Sequence, residues 1–179
     1  MKNQPQVQRV LPLLSRRQMV VMSFLSLAVV AGAVAGLGSP PLQAQAQPPL
    51  LEVWKSPTCG CCAEWIKHME ANGFRVKAYD KGNTAIRKEL GMPLKYGSCH
   101  TAKVNGYVLE GHVPAREVHR LLKEKPAALG LSVPEMPIGT PGMDTPEYGG
   151  QVDPYDVLLV KRDGSSAVYQ AYTLKRSGK

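Results

Sequence analysis

No acidic residue occurs before Glu52. The stretch ahead of it carries Lys2, Arg9, Arg16 and Arg17, then an apolar run from Met19 to Leu37 that Ser39-Pro40-Pro41 interrupts. Ala44-Gln45-Ala46 follows as a small-residue cleavage pattern. A basic, acid-free start, an apolar run and such a site together read as a secretory signal over residues 1–46, which is set aside from the fold. Ser15-Arg16-Arg17-Gln18-Met19-Val20 has the twin-arginine form, which suggests export of a folded, cofactor-loaded protein. The plain alternative is a general secretory signal that happens to contain two arginines. A retained anchor is the third reading, since Met19–Leu37 approaches the ~20 residues of a membrane span. Its glycines and alanines and the Ala-Gln-Ala pattern favour cleavage. The expected location is the periplasm, either free or tethered there, with the membrane a partner only if the segment stays uncleaved.

A basic stripe interleaved with aromatics is also missing. Of 22 Lys and Arg, four fall in the signal, leaving eighteen against 14 Asp and Glu. This mildly basic balance, without the stripe, excludes nucleic acid as an expected partner. Internal repeats are absent too, and residues 47–179 have the length of one domain of ordinary size.

Cysteine is scarce but concentrated. Three of the four, Cys59, Cys61 and Cys62, fall within four residues, and the fourth is Cys99. In an oxidising compartment four cysteines can form two disulfides. Adjacent Cys61-Cys62 is poor geometry for two independent staples.

Along the chain, Leu51–Trp54 is apolar and bounded by turn residues, so it reads as a buried strand. Ser56-Pro57-Thr58 places the cysteines at the start of a helix that runs to Ala71 and ends at Asn72-Gly73. Residues 74–79 alternate as a second strand. Asn83–Leu90 reads as a helix. Thr101–Val104 and Tyr107–Glu110 form a hairpin about Asn105-Gly106, and Pro114–Lys125 a third helix. Residues 130–150 read as a long irregular loop rich in proline, containing Met136 and Met143. A last hairpin joins Asp156–Lys161 to Ala167–Tyr172. The fold class is α/β: a thioredoxin-like fold, a central mixed sheet flanked by helices, with an added C-terminal loop and β-hairpin.

Cys59 and Cys62 form a Cys-x-x-Cys pair at a helix N-terminus, where the dipole and free amides stabilise a thiolate. A dithiol oxidoreductase needs only those two, and Cys61 between them would compete as a disulfide partner. For soft-metal ligation the third thiolate is an asset, and thiolates and thioethers favour Cu(I), with zinc the alternative. The Asn105-Gly106 register sets Cys99 opposite His112, with Cβ atoms about 5 Å apart. By strict alternation His100 points to the other face, unless the strand starts later in the chain. His68 lies about 10 Å along the helix from Cys61, too far to share its metal. His119 reads as a surface residue. Met136 and Met143, outside any helix, are candidate thioether ligands or gap-filling core residues.

Several blocks in order resemble one family of exported metal-binding proteins, the CopG type. They are Ser56-Pro57-Thr58-Cys59-Gly60-Cys61-Cys62 with Trp65 and His68, then Ser98-Cys99-His100-Thr101-Ala102, then Glu110-Gly111-His112-Val113-Pro114. Gly130-Leu131-Ser132-Val133-Pro134 and the run from Met136 to Met143 complete the likeness, which spans residues 50–172. The resemblance implies a thioredoxin-like domain holding copper through Cys59, Cys61, Cys62 and Cys99, an association with copper resistance, and a role in changing copper's oxidation state. Glu135 departs from the glycine expected before Met136.

The expectation is therefore an exported protein that binds Cu(I), in a cluster of more than one ion, through Cys59, Cys61, Cys62, Cys99, His112, Met136 and Met143. Its expected partners are copper ions and other exported copper-handling proteins. A thiol–disulfide oxidoreductase using Cys59 and Cys62, or a structural zinc protein, are the alternatives, and binding is expected over catalysis.

Overall fold

The computed structural model describes residues 47–173. The expected signal over residues 1–46, including its anchor reading, lies outside them. The described chain forms one mixed sheet of seven strands in the order β2-β1-β3-β4-β5-β6-β7. Its elements are β1 (Leu50–Lys55), α1 (Gly60–Ala71), β2 (Arg75–Asp80), α2 (Thr84–Glu89), β3 (His100–Val104), β4 (Tyr107–Glu110), α3 (Ala115–Glu124), β5 (Gly130–Ser132), β6 (Tyr155–Val160) and β7 (Ser166–Tyr172). β1 runs parallel to β2 and antiparallel to β3, and β4 runs parallel to β5. The expected mixed sheet with helices and a C-terminal hairpin is present.

Both faces of the central strands are covered, and the side-chain alternation of β4 shows how. Leu109 belongs to the main core with Leu51, Val53, Trp65, Met69, Val118 and Leu121. Its neighbour Val108 turns the other way, into a smaller cluster with Met92, Tyr96, Leu129 and Val160. A strand whose residues alternate between two dry faces reads in sequence as continuously apolar, as Tyr107-Val108-Leu109 does. In α1, Cys62, Trp65 and Met69 recur at helical spacing and are buried, whereas Lys67 and Glu70 face out. The hairpin turns at Asn105 and Gly106, both at positive φ, as a two-residue turn of the expected type requires. Thr101 pairs with Glu110 in the register that sets Cys99 opposite His112.

One element differs from expectation. Residues 130–132 are not irregular but form β5, which joins β4 to β6 and so makes the C-terminal hairpin part of the same sheet. Three residues, Gly-Leu-Ser, carry no strand signal of their own; pairing on both sides selects the extended conformation. At Gly130 a Cβ would meet the Val108 carbonyl oxygen at 1.7 Å, so only glycine lets the strands close there.

Candidate metal centre

Helix α1 starts at Gly60, which leaves Cys59 as its N-cap residue and puts Cys61 and Cys62 in its first turn. Cys59 and Cys62, three apart on that turn, are joined in a disulfide with their Cα atoms 5.4 Å apart. Cys61 and Cys99 are free and half-buried. The Cys61 sulfur lies 3.5 Å from that of Cys59, and all four sulfurs fall within 4.8 Å of one another. The chain thus gathers its entire cysteine content at one point, from a helix start and from the lead-in to β3.

The hairpin adds imidazoles. His112, fully buried after β4, has Nε2 at 3.0 Å from the Cys99 sulfur and Nδ1 at 2.7 Å from the Pro141 carbonyl oxygen. A carbonyl only accepts, so Nδ1 carries the proton and Nε2 turns its lone pair toward Cys99. This is the arrangement of a metal-ligating histidine, with tautomer and ring plane fixed by a backbone acceptor. Burial lowers the His112 pKa, which keeps the ring neutral at pH 7.

His100 corrects the alternation argument. It does not point away from Cys99: its ring is fully buried against Trp65, at 4.3 Å between centroids, with Nδ1 at 3.3 Å from the Cys99 sulfur. The strand begins at His100, so Cys99 stands before the regular ladder and strict alternation does not reach it. The His100 Nε2 has no hydrogen-bond partner. An orphaned buried N–H costs more than an orphaned lone pair, so the Nδ1–H tautomer is favoured, donating to the Cys99 sulfur. Burial also pushes the Cys99 thiol up to about 12, with Cys61 beside it as the next cause. At ordinary pH Cys99 is a neutral thiol whose S–H donates a hydrogen bond to the His112 Nε2.

The loop bearing Cys99 is clamped by charges that the sequence reading did not single out. Glu110, fully buried in β4, accepts from the backbone N–H of Ser98 at 2.7 Å and from the Thr101 hydroxyl at 2.6 Å. It is paired with the Arg87 guanidinium at 2.8 Å. Arg87 also donates to the Ser98 carbonyl oxygen, as does the Asn83 amide at 3.1 Å. Ser98 is thereby gripped through its N–H and its C=O, immediately before Cys99. An acid ending an apolar strand and an arginine on α2 were the available signals, but only tertiary packing pairs them.

The two methionines part company. Met143 is buried, and its sulfur accepts from the Tyr148 hydroxyl at 3.4 Å. The adjoining Gly142, at φ +87°, lies so close to α1 that a Cβ would meet the Cys61 carbonyl oxygen at 2.5 Å and the His112 Nδ1 at 3.3 Å. Met136 is half exposed and lines an open hollow of about 400 Å³ together with Cys99, Ser98, Arg87 and Leu94. Glu135 beside it, the position where the resemblance calls for glycine, sits at φ +61°, in the left-handed region that favours glycine. His68 accepts from the Ala115 N–H at 3.1 Å and His119 bonds to the Asn72 carbonyl oxygen at 2.8 Å, so both are used structurally.

The donor set is soft: thiols and neutral imidazole, with no carboxylate among the gathered groups. Such a set suits Cu(I) or zinc and not magnesium or calcium. Once reduced, four sulfurs so close together can bridge ions.

Residues 96–143, which contain Cys99, both ring-bearing partners and both methionines, match the family described as a protein of unknown function, DUF411. No curated protein matches the chain. Two solved structures do, described as copper resistance protein CopG, form 2 and form 1. Each is 40% identical over 70% of this chain, with TM-scores of 0.66 and 0.65, and 99% and 98% of their own lengths are covered. Identity at that level over nearly the whole of the neighbour shows shared family as well as shared fold, and this chain belongs to the CopG-type copper resistance family.

Proposed function

We propose that this protein binds copper as Cu(I) at the cysteine cluster and contributes to copper resistance by sequestration or redox handling of the ion. The observation that carries the reading is the convergence of Cys59, Cys61, Cys62 and Cys99 within 4.8 Å. His112, its lone pair aimed at Cys99, is a further donor at the edge of the cluster. Thiolates select Cu(I), and copper supplies the electron-transfer chemistry when bound. The chain's residues hold and orient: Cys59 and Cys62 must be in the dithiol form to ligate, and each thiol gives up its proton as metal enters. Pro141 fixes the His112 tautomer, while Arg87 and Glu110 hold the Cys99 loop.

Met136, at the mouth of the hollow beside Cys99, is the thioether placed to meet an incoming ion. Met143 has its sulfur engaged by Tyr148, and a ligand role for it requires release of that bond. The βαβ unit β1-α1-β2 followed by β3-β4-α3, with Cys-x-x-Cys at the first strand–helix junction, supports the thioredoxin-like reading. Export by residues 1–46 would place the protein in the periplasm, where its partners are copper ions and other copper-handling proteins.

Titration of the reduced protein with Cu(I) against a chromophoric chelator tests the reading. The expectation is tight binding that Cys61→Ser weakens or reduces in stoichiometry; an unchanged isotherm for that variant refutes it. The Cys59–Cys62 disulfide specifically favours a second reading, a thiol–disulfide oxidoreductase. That reading predicts mixed disulfides with a protein substrate that depend on Cys59 and are indifferent to Cys61.

A further inference from the structure

Few large apolar side chains are exposed among the described residues, and two of them, Leu94 at 80% and Met136 at 48%, flank one surface groove. The groove is made of two hollows. One, of about 400 Å³, has Cys99, Glu135 and Met136 in its wall. The other, of about 410 Å³, has Lys88 and Met92. Leu94 and Arg87 line both, so Leu94 is a ridge between them and the groove runs from Cys99 past Leu94 to Lys88.

The backbone beneath both exposed side chains is fixed. Met136 is set beside Cys99 by the bridge between Ser98 and Glu135. There the Ser98 hydroxyl donates to the Glu135 carbonyl oxygen, and the Glu135 N–H donates to the Gly97 carbonyl oxygen at 3.2 Å. Glu135 adopts the left-handed conformation to make this bridge, a strain of the kind found where ligands are held. Leu94 opens a single turn of 3₁₀ helix, Leu94–Tyr96, anchored by the buried Tyr96, whose hydroxyl donates to the Gly164 carbonyl oxygen at 3.2 Å. The charges divide along the groove. Arg87 is spent on Glu110. Glu135 at the Cys99 end, Lys88 at the far end and Lys95 beside the ridge are exposed and form no ion pair among the described residues.

We propose that this groove docks an extended segment of a partner protein that delivers Cu(I) to Cys99. The segment carries a methionine at the Cys99 end, an aliphatic side chain for the second hollow and an acidic residue for Lys88. The inference rests on the copper reading above and names the partner chemistry of that same site. An extended chain advances about 3.3 Å per residue, so alternate side chains, about 7 Å apart, fall on either side of the Leu94 ridge. A small ligand would occupy one open hollow and leave much of its surface in water, whereas a segment crossing both covers Leu94 and Met136 together. Thioether donors on both sides keep the ion softly ligated throughout. The Met136 sulfur takes the coordination place that the partner's methionine leaves. Cu(I) then passes to the Cys99 sulfur, whose proton goes to solvent, and no electron moves.

The test uses the full chain in its reduced form and two synthetic peptides loaded with Cu(I). Each contains methionine and leucine and one terminal charged residue, glutamate in the first and lysine in the second. Transfer is followed anaerobically by growth of the copper–thiolate absorption. Wild-type protein should take Cu(I) faster from the glutamate peptide, and added salt should erase the difference. Leu94→Ser should slow transfer from that peptide about tenfold, as loss of one buried leucine contact does. Lys88→Glu should abolish the preference. Both variants change exposed positions and should keep the wild-type capacity and affinity for Cu(I) against a chromophoric chelator, which also shows that they fold. Equal rates for the two peptides, wild-type rates in Leu94→Ser, or an unchanged preference in Lys88→Glu overturn the docking proposal and leave the copper reading in place. Wild-type protein that takes no Cu(I) from the chelator overturns the copper reading and the proposal with it.

Discussion

At the scale of single residues, the site depends on backbone groups as much as on its ligands. His112 presents Nε2 to Cys99 only because the Pro141 carbonyl holds Nδ1–H, and that carbonyl is in place because Gly142 lets its loop lie against α1. Gly142→Ala adds a Cβ in a left-handed backbone against the Cys61 carbonyl. It should cost about 1–3 kcal/mol of stability, as other overpacked sites do. Copper affinity should fall with it, which thermal unfolding and Cu(I) competition would measure side by side. Glu135 is the converse case. An L-residue in the left-handed region is strained by roughly 1–2 kcal/mol, part of which the greater chain entropy of glycine takes back. Glu135→Gly should therefore be neutral or stabilising by up to about 1 kcal/mol in chemical denaturation, with the copper site intact.

Proton linkage belongs to this scale as well. Burial holds the Cys99 thiol near 12, so at ordinary pH the metal must displace its proton. His112 is shifted the opposite way and is already neutral at pH 7, so it contributes no proton there. Affinity at a site using Cys99 should thus rise with pH, by about tenfold per pH unit for each thiol displaced. Competition titrations from about pH 6 to about pH 8 would show this slope, and a flat profile would exclude Cys99 as a ligand.

At the scale of elements, the lead-in to β3 is the part under tightest control. Arg87 on α2 and Glu110 on β4 form a buried pair whose remaining hydrogen bonds go to Ser98 and Thr101. Removing one partner leaves the other charge buried and uncompensated, which typically costs about 3–5 kcal/mol. Arg87→Ala should approach that cost and free the Cys99 loop, seen as faster alkylation of Cys99 in the folded protein. Here too lies the boundary of what sequence shows. The Asn105-Gly106 turn fixed the hairpin register, and with it the meeting of Cys99 and His112, because two-residue turns leave a hairpin no choice of pairing. His100 escaped the same logic because it is the first residue of its strand. The Arg87–Glu110 pair and β5 escaped because nothing local marks them. One joins residues twenty-three apart on different elements, and the other is three residues held by neighbours on both sides.

At the scale of the whole molecule, the sheet order places the start of α1, the lead-in to β3, the end of β4 and the 139–143 loop side by side. No one of these segments makes a site; their junction gathers four sulfurs and two imidazoles. The cysteine motif alone left a redox pair and a metal cluster both open. The convergence of Cys99 on Cys61, the cysteine that a dithiol enzyme would not need, is what favours metal. The most direct test is metal analysis by native mass spectrometry of the full protein isolated from copper-exposed cells, under reductant and without chelator. The account predicts copper bound as Cu(I), more than one ion per chain, and loss of copper in the Cys61→Ser protein. Protein that carries zinc, or carries no metal and copper-indifferent mixed disulfides instead, would contradict it.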